Sequence, residues 1–135
     1  MVVYKVVRKD AIGFISAVMI PNDGEFFQRY EIGETAYPRV GKLFAFKYLT
    51  DARRFLAKRM ETGYWFYILE CTTTGCRSIS RVAHSLECYR FREFWNGDMP
   101  KRDEASAPIG TVACNDITPI RVMEGGDFSE AKRLG

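Results

Sequence analysis

Four cysteines and a single histidine carry the most reactive side chains of this chain. Cys71, Cys76, His84 and Cys88 fall within 18 residues, a set of ligand types that a zinc ion could use. Zinc sites, however, show a tight cysteine pair with roughly two to four residues enclosed, and a second pair further along. Cys71 and Cys76 enclose four residues, at the edge of that spacing, and no second knuckle follows. Cys71 also ends an apolar strand pattern, where a thiol packs as a small hydrophobe. The spacing therefore favours buried or idle thiols over a metal site. A Cys71–Cys76 disulfide would need an oxidising compartment or a thermophilic source.

Other catalytic arrangements have less to stand on. Any Ser/His/Asp or Cys/His scheme depends on His84, and no G-x-S-x-G elbow supports one. No Walker loop or G-x-G-x-x-G occurs, and Gly125-Gly126 alone is a flexible joint. Nothing in the sequence calls for a cofactor. A pair of carboxylates that converges only in space stays open as acid–base machinery. Glu70 ends an otherwise apolar strand; if buried it needs a basic partner such as Arg81 or Arg121, and the favoured alternative is an outward-facing strand end.

Binding chemistry is better represented. Arg53, Arg54, Lys58 and Arg59 lie on one helical segment, with Arg54 and Lys58 stacked at i, i+4, and Tyr37, Arg39 and Lys42 stand in the loop before it. Cations interleaved with aromatics suit a phosphate backbone or a nucleotide, against the plainer reading of a solvated helix face. Trp95 borders a polar loop; exposed, it would suit a protein partner, whereas a core position is commoner for tryptophan.

The composition bounds these readings. The chain has 135 residues, of which 47% are apolar, 27% charged and 14% aromatic, with a formal net charge of +3. That is the size and balance of one globular domain with an aromatic-rich core. The charge allows a nucleic-acid partner without requiring one, and argues against an acidic DNA mimic. No apolar run approaches the roughly 20 residues of a membrane helix. MVVYKVVRKD places its basic residues after the apolar ones and opens no secretory h-region, so the expected setting is the cytosol.

The elements that must position these residues can be read from spacing. Residues 2–8 form a strand with Val2, Tyr4 and Val6 on one face and Val3, Lys5 and Val7 on the other. Strands follow at about 14–20 and 26–32, separated by the Pro21-Asn22-Asp23-Gly24 turn, and the three make an antiparallel meander. The run from Tyr30 to Leu56 joins a turn, the KLFAFK strand and a helix over about 50–61, with Thr50 as N-cap, Gly63 as stop and Ala52, Phe55, Leu56 and Met60 toward the core. YWFYILEC at 64–71 is apolar on both faces, as a central strand should be. RSISRVAH at 77–84 reads as one weak strand, 88–95 as a short helix and 96–108 as the longest loop. Residues 110–123 give a terminal strand pair or one bulged strand, with Pro119 marking an edge or bend. A last helical turn is expected near Asp127.

The motif order Y-E-I-G, P-x-V-G-K-L-F-A-F-K, T-D-A-R-R-F, W-F-Y-I-L-E-C, R-E-F-W, A-P-I-G-T-V and D-I-T-P-I-R-V resembles a set of small uncharacterised proteins of bacteriophages, other viruses and some microbes. It covers about 3 to 123, through Gly33, Pro38, Gly41, Phe44, Phe46, Ala52, Phe55, Trp95, Pro108, Gly110 and Thr111. The likeness implies a fold and a viral or microbial cytosolic context, and no activity. In architecture alone, the strand and helix order is similar to the ADP-ribosyltransferase-like fold, whose nucleotide roles would fall to Tyr4, Tyr48 and Asp116 without the diagnostic spacing. These readings converge on one α+β domain, a mostly antiparallel sheet of about five to seven strands with the 50–61 helix on one face. The function they favour is a small binding or interaction module, of the kind a phage or mobile element carries as an accessory. A protein partner comes first, a nucleotide or nucleic acid second, and no membrane.

Overall fold

Alternation in the first strand organises the molecule. The computed structural model describes residues 1–9, 12–16, 28–39, 41–59, 66–83 and 88–126. Strand β1 (Val2–Lys9) pairs along its whole length with β5 (Phe66–Thr72), from Val2↔Thr72 to Arg8↔Phe66. Its other edge is divided. Tyr4 faces Phe46 of β4 (Leu43–Phe46), while Val7 to Lys9 pair with β2 (Phe14–Ser16). Beyond β2 lies β3 (Arg29–Tyr30), so the antiparallel meander expected at the amino terminus is present. Beyond β4 lie β9 (Thr111–Cys114) and then β6 (Cys76–Ser78). Strand β10 (Thr118–Gly126) flanks β5. A separate hairpin-like pair joins β7 (Arg81–Ala83) to β8 (Glu104–Ser106). Helices α1 (Leu49–Arg59) and α2 (Cys88–Asn96) complete the elements.

The fold is α+β and antiparallel in every described strand pair, with eight strands in the main sheet. The count passes the expected five to seven because residues 110–123 supply two separate strands of the sheet, β9 and β10.

Part of this sheet closes on itself. After β3 the chain lies against the start of β10, through Gly33 N–H to the Pro119 carbonyl and paired bonds between Ala36 and Ile117. The succession β1, β2, β3, residues 33–36, β10 and β5 therefore returns to β1. Val3, Val7, Tyr30, Ala36, Leu69, Cys71 and Ile117 fill its inside, joined by Leu43, Ala45, Val112 and Cys114 from the β4–β9 extension. The outer face packs Val6, Phe46, Phe66 and Ile68 under Ala52 and Leu56 of α1. Both faces of β1 and β5 are thus covered, as the all-round apolar character of YWFYILEC requires.

Local chemistry accounts for the element ends. Helix α1 starts at Leu49, one residue before the expected boundary, with Asp51 and Ala52 N–H both donating to the Tyr48 carbonyl; Thr50 is inside the first turn instead of capping it. Asp51 keeps its place by the positive end of the helix dipole. Helix α2 ends in a Schellman motif: Gly97 at φ +80° donates to the Phe94 carbonyl and Asp98 to that of Glu93.

Two expectations change. The described part of the expected 77–84 strand is split between two strands in two different sheets, because the chain leaves β9 after Ile79 and turns at Ser80 to meet β8. The 96–108 loop contains a 3-10 turn at Lys101–Asp103 and all of β8, held by Arg81 to the Glu104 carbonyl at 3.0 Å. Residues 110–123 are two strands, one of the two forms expected, and β10 carries two register slips, the first directly after the buried Pro119, as its missing N–H dictates. Pro21–Gly24, Met60, Gly63, His84 and the turn near Asp127 lie outside the described residues.

Candidate functional site

The basic and aromatic residues singled out by sequence separate into two groups. On α1, Arg53 is tied by hydrogen bond and ion pair to Glu124 of β10, and Arg54 reaches Asp51 one turn back at 3.5 Å. Lys58 is exposed. With Arg53 and Arg54 already paired, this helix has the character of a solvated face.

The loop group sits elsewhere. Tyr37, 66% exposed, follows the Ala36–Ile117 bridge, and Arg39 is exposed two residues on. Lys42 precedes β4 and donates from Nζ to Asn115 Oδ1. In an antiparallel ladder, directly opposed residues share a face. Phe44 opposes Ala113, which opposes Arg77, so these three side chains project to one side. On that side Arg77 and Ala113 border an open depression of about 410 Å³ lined by Lys42, Gly75, Cys76, Arg77, Ala113 and Asn115. Ala113 and Gly75 leave the space that larger residues would fill. None of the described residues lining it carries a carboxylate, and Arg77 is ion-paired with none of the described carboxylates.

Trp95 stands at the border of this face. Its indole stacks on Phe44 with centroids 5.4 Å apart and planes at 25°, and Phe94 meets it edge-on at 5.0 Å. Gly41, at φ +65°, lies directly beneath the ring, where any Cβ would overlap the indole. The tryptophan is half-buried: one face packs on the domain while the residue still borders solvent.

Arg77 and Asn115 were not among the residues chosen from sequence. Residues 77–84 alternate weakly in the sequence, but nothing local says that β6 lies beside β9, next to Lys42.

The remaining candidates have structural occupations. Asp116 is covered by its neighbours although it lies near the periphery. Its carboxylate accepts from Thr74 N–H at 2.8 Å, Thr74 Oγ1 at 2.5 Å and Thr73 Oγ1 at 3.4 Å. These bonds, the Thr74 hydroxyl first, hold it below the usual carboxylate range and staple the β5–β6 turn. Tyr4 packs beside the α1 cluster, and Tyr48 is exposed with Lys47 Nζ 5.5 Å from its ring centre. The three therefore occupy separate settings. Glu70 is ion-paired with Arg121, one of its two expected partners. Cys71 Sγ points into the core and donates to the Leu69 carbonyl, and no group of three metal-ligand side chains occurs among the described residues.

Comparison with known proteins finds no matching family, no matching curated protein and no matching solved structure. No described helix is long and apolar enough to cross a membrane.

Proposed function

We propose that this chain is a non-enzymatic binding module that holds a phosphate-bearing ligand, a nucleotide or a short single strand, on the β4–β9–β6 face beside Trp95. The observation that carries this reading is the pairing of Lys42 and Arg77 around a depression floored by Gly75 and Ala113 and lined by no described carboxylate. A guanidinium without a carboxylate partner is a donor fork for phosphate oxygens, and the neighbouring ammonium adds a second positive charge. Tyr37 and Arg39 stand exposed in the loop before β4, and Trp95, stacked on Phe44 of β4, offers an aromatic surface of the kind bases stack on. A phage or mobile-element accessory that binds nucleic acid or a nucleotide would use such a face, and so would a module that recognises an acidic protein partner.

The charge distribution gives the test. Arg77→Glu reverses one of the two cations and is expected to weaken binding of a fluorescein-labelled single-stranded oligonucleotide at least tenfold, measured by anisotropy at low salt. Wild-type affinity should fall steeply as salt rises, because counterions are released on binding. Arg54→Glu with Lys58→Glu, on the helix face, should change affinity less than about twofold by screened long-range charge alone. Equal losses from the helix pair and from Arg77→Glu would move the site to α1.

A further inference from the structure

We propose that Cys76 and Cys114 are a modification site, a cross-strand thiol pair that closes to a disulfide when a small-molecule disulfide is supplied. The two residues are direct Cα partners between β6 and β9. Their place in the ladder follows from its neighbours. Asn115 N–H donates to the Gly75 carbonyl at 2.9 Å on one side, and Ile79 N–H to the Thr111 carbonyl at 3.2 Å on the other. Antiparallel pairs alternate between hydrogen-bonded and non-hydrogen-bonded, so Gly75/Asn115, Arg77/Ala113 and Ile79/Thr111 are the bonded ones. Cys76/Cys114 is then a non-hydrogen-bonded pair, the kind whose Cα atoms approach to about 4.5 Å with side chains closest together. That separation lies inside the range a disulfide spans, about 4.4–6.8 Å. Both side chains project to the same inner side, where Cys114 is fully buried and Cys76 is half-buried against it.

The accessible partner starts the chemistry. Cys76, with Met1 Sδ 3.0 Å away, attacks the small disulfide as a thiolate and releases one thiol. Cys114, as a thiolate, then attacks Cys76 Sγ of the mixed disulfide and releases the second. The balance is two protein thiols and one small disulfide giving one protein disulfide and two small thiols; the protein is oxidised and the reagent reduced. Burial pushes the Cys114 thiol up to about 12, so its thiolate is scarce at neutral pH and the closing step is the slow one. Its rate should rise about tenfold per pH unit through the neutral range. The bond would tie the edge strand β6 to β9 at the floor of the depression, since Cys76 lines it and Ala113 precedes Cys114. The pairing itself does not depend on any ligand.

The experiment treats the folded protein with oxidised glutathione at pH 8 and maps peptides without reduction. The expected result is a Cys76–Cys114 linked peptide, free thiols falling from four to two, and an unfolding midpoint that rises and returns on reduction. Cys71→Ser should keep the link, while Cys76→Ser should retain the fold, carry three thiols and lose the link. In urea the same treatment should scatter the links among all cysteines. A stable glutathione adduct on Cys76 alone, four unreacted thiols, or native-state links through Cys71 or Cys88 would overturn the proposal.

Discussion

Lys5→Met is expected to stabilise the protein at neutral pH by about 1–2 kcal/mol and to remove the alkaline rise of its stability curve. Lys5 belongs to the inward face of β1, between Val3 and Val7, and is 9% exposed. Its Nζ donates to the Phe44 carbonyl at 2.5 Å, where β1 has parted from β4 to join β2, and lies 5.4 Å from the centre of the Tyr30 ring. Burial pulls its ammonium down to about 8 from 10.5, against the opposing pull of Cys114 and Cys71. That difference corresponds to about 3 kcal/mol of strain on the charged form. Methionine has a similar reach and no charge; it forfeits the carbonyl bond, a loss of about 1–2 kcal/mol.

The pH curve distinguishes this from ordinary repacking. Between about pH 8 and 10.5 the unfolded chain holds a proton on Lys5 that the folded chain has released. Unfolding takes up a proton there, so stability rises with pH. Cys71 and Cys114 act in the opposite sense. Their thiols ionise near 9 when unfolded and only near 12 in the core, where burial holds them neutral, so stability falls from pH 9 upward. Tyr30 adds to the fall above pH 10, its phenol raised by burial, with the Ser16 hydroxyl near it but outside hydrogen-bond geometry. Two thiols outweigh one ammonium, and the wild-type curve should climb from pH 8 to about 9 and then descend. Urea midpoints across pH 7 to 11 check this. Lys5→Met should descend only; a wild-type curve flat from pH 7.5 to 9 would show that Lys5 is solvated.

The second large effect is at Gly41. Gly41→Ala should lose about 2–4 kcal/mol and lower the thermal midpoint by about 10 °C. The left-handed backbone, φ +65°, costs alanine about 1 kcal/mol. The remainder comes from the indole of Trp95, which the new methyl would push off Phe44. Gly33→Ala provides the comparison: φ is +87°, yet nothing lies within 4 Å of its Cβ position. It should lose only the backbone part, about 1 kcal/mol. Equal losses at the two sites would show that Trp95 does not rest on Gly41. Since Trp95 rims the proposed site, Gly41→Ala should also weaken ligand binding while Gly33→Ala leaves it intact.

Legibility in the sequence followed periodicity. The two faces of VVYKVVR, the Ala52–Phe55–Leu56 stripe and the all-round apolar β5 are where alternation placed them, because burial on a regular element repeats at the element's own period. The burial of Lys5 was not legible, since an ammonium among valines looks like an exposed position until ring closure through residues 33–36 and β10 covers it. The binding face was half legible. Lys42 and Trp95 advertise themselves by type, but Asn115 and Arg77 join them only through β4–β9 and β6–β9 pairings whose partners lie 34 or more residues apart. The α1 cations were chosen by local density, and the acids that pair with Arg53 and Arg54 lie at Glu124, far along the chain, and at Asp51, on the helix itself.

The most direct test is the thermal unfolding midpoint of the wild-type and of a Lys42→Glu, Arg77→Glu double variant, measured against NAD, ATP, cyclic dinucleotides and short single-stranded oligonucleotides. A ligand that binds only the folded chain raises the midpoint with its concentration. At least one phosphate-bearing ligand should raise the wild-type midpoint and leave that of the folded double variant unmoved. No shift across the panel, or the same shift in both proteins, would contradict a phosphate site between Lys42 and Arg77.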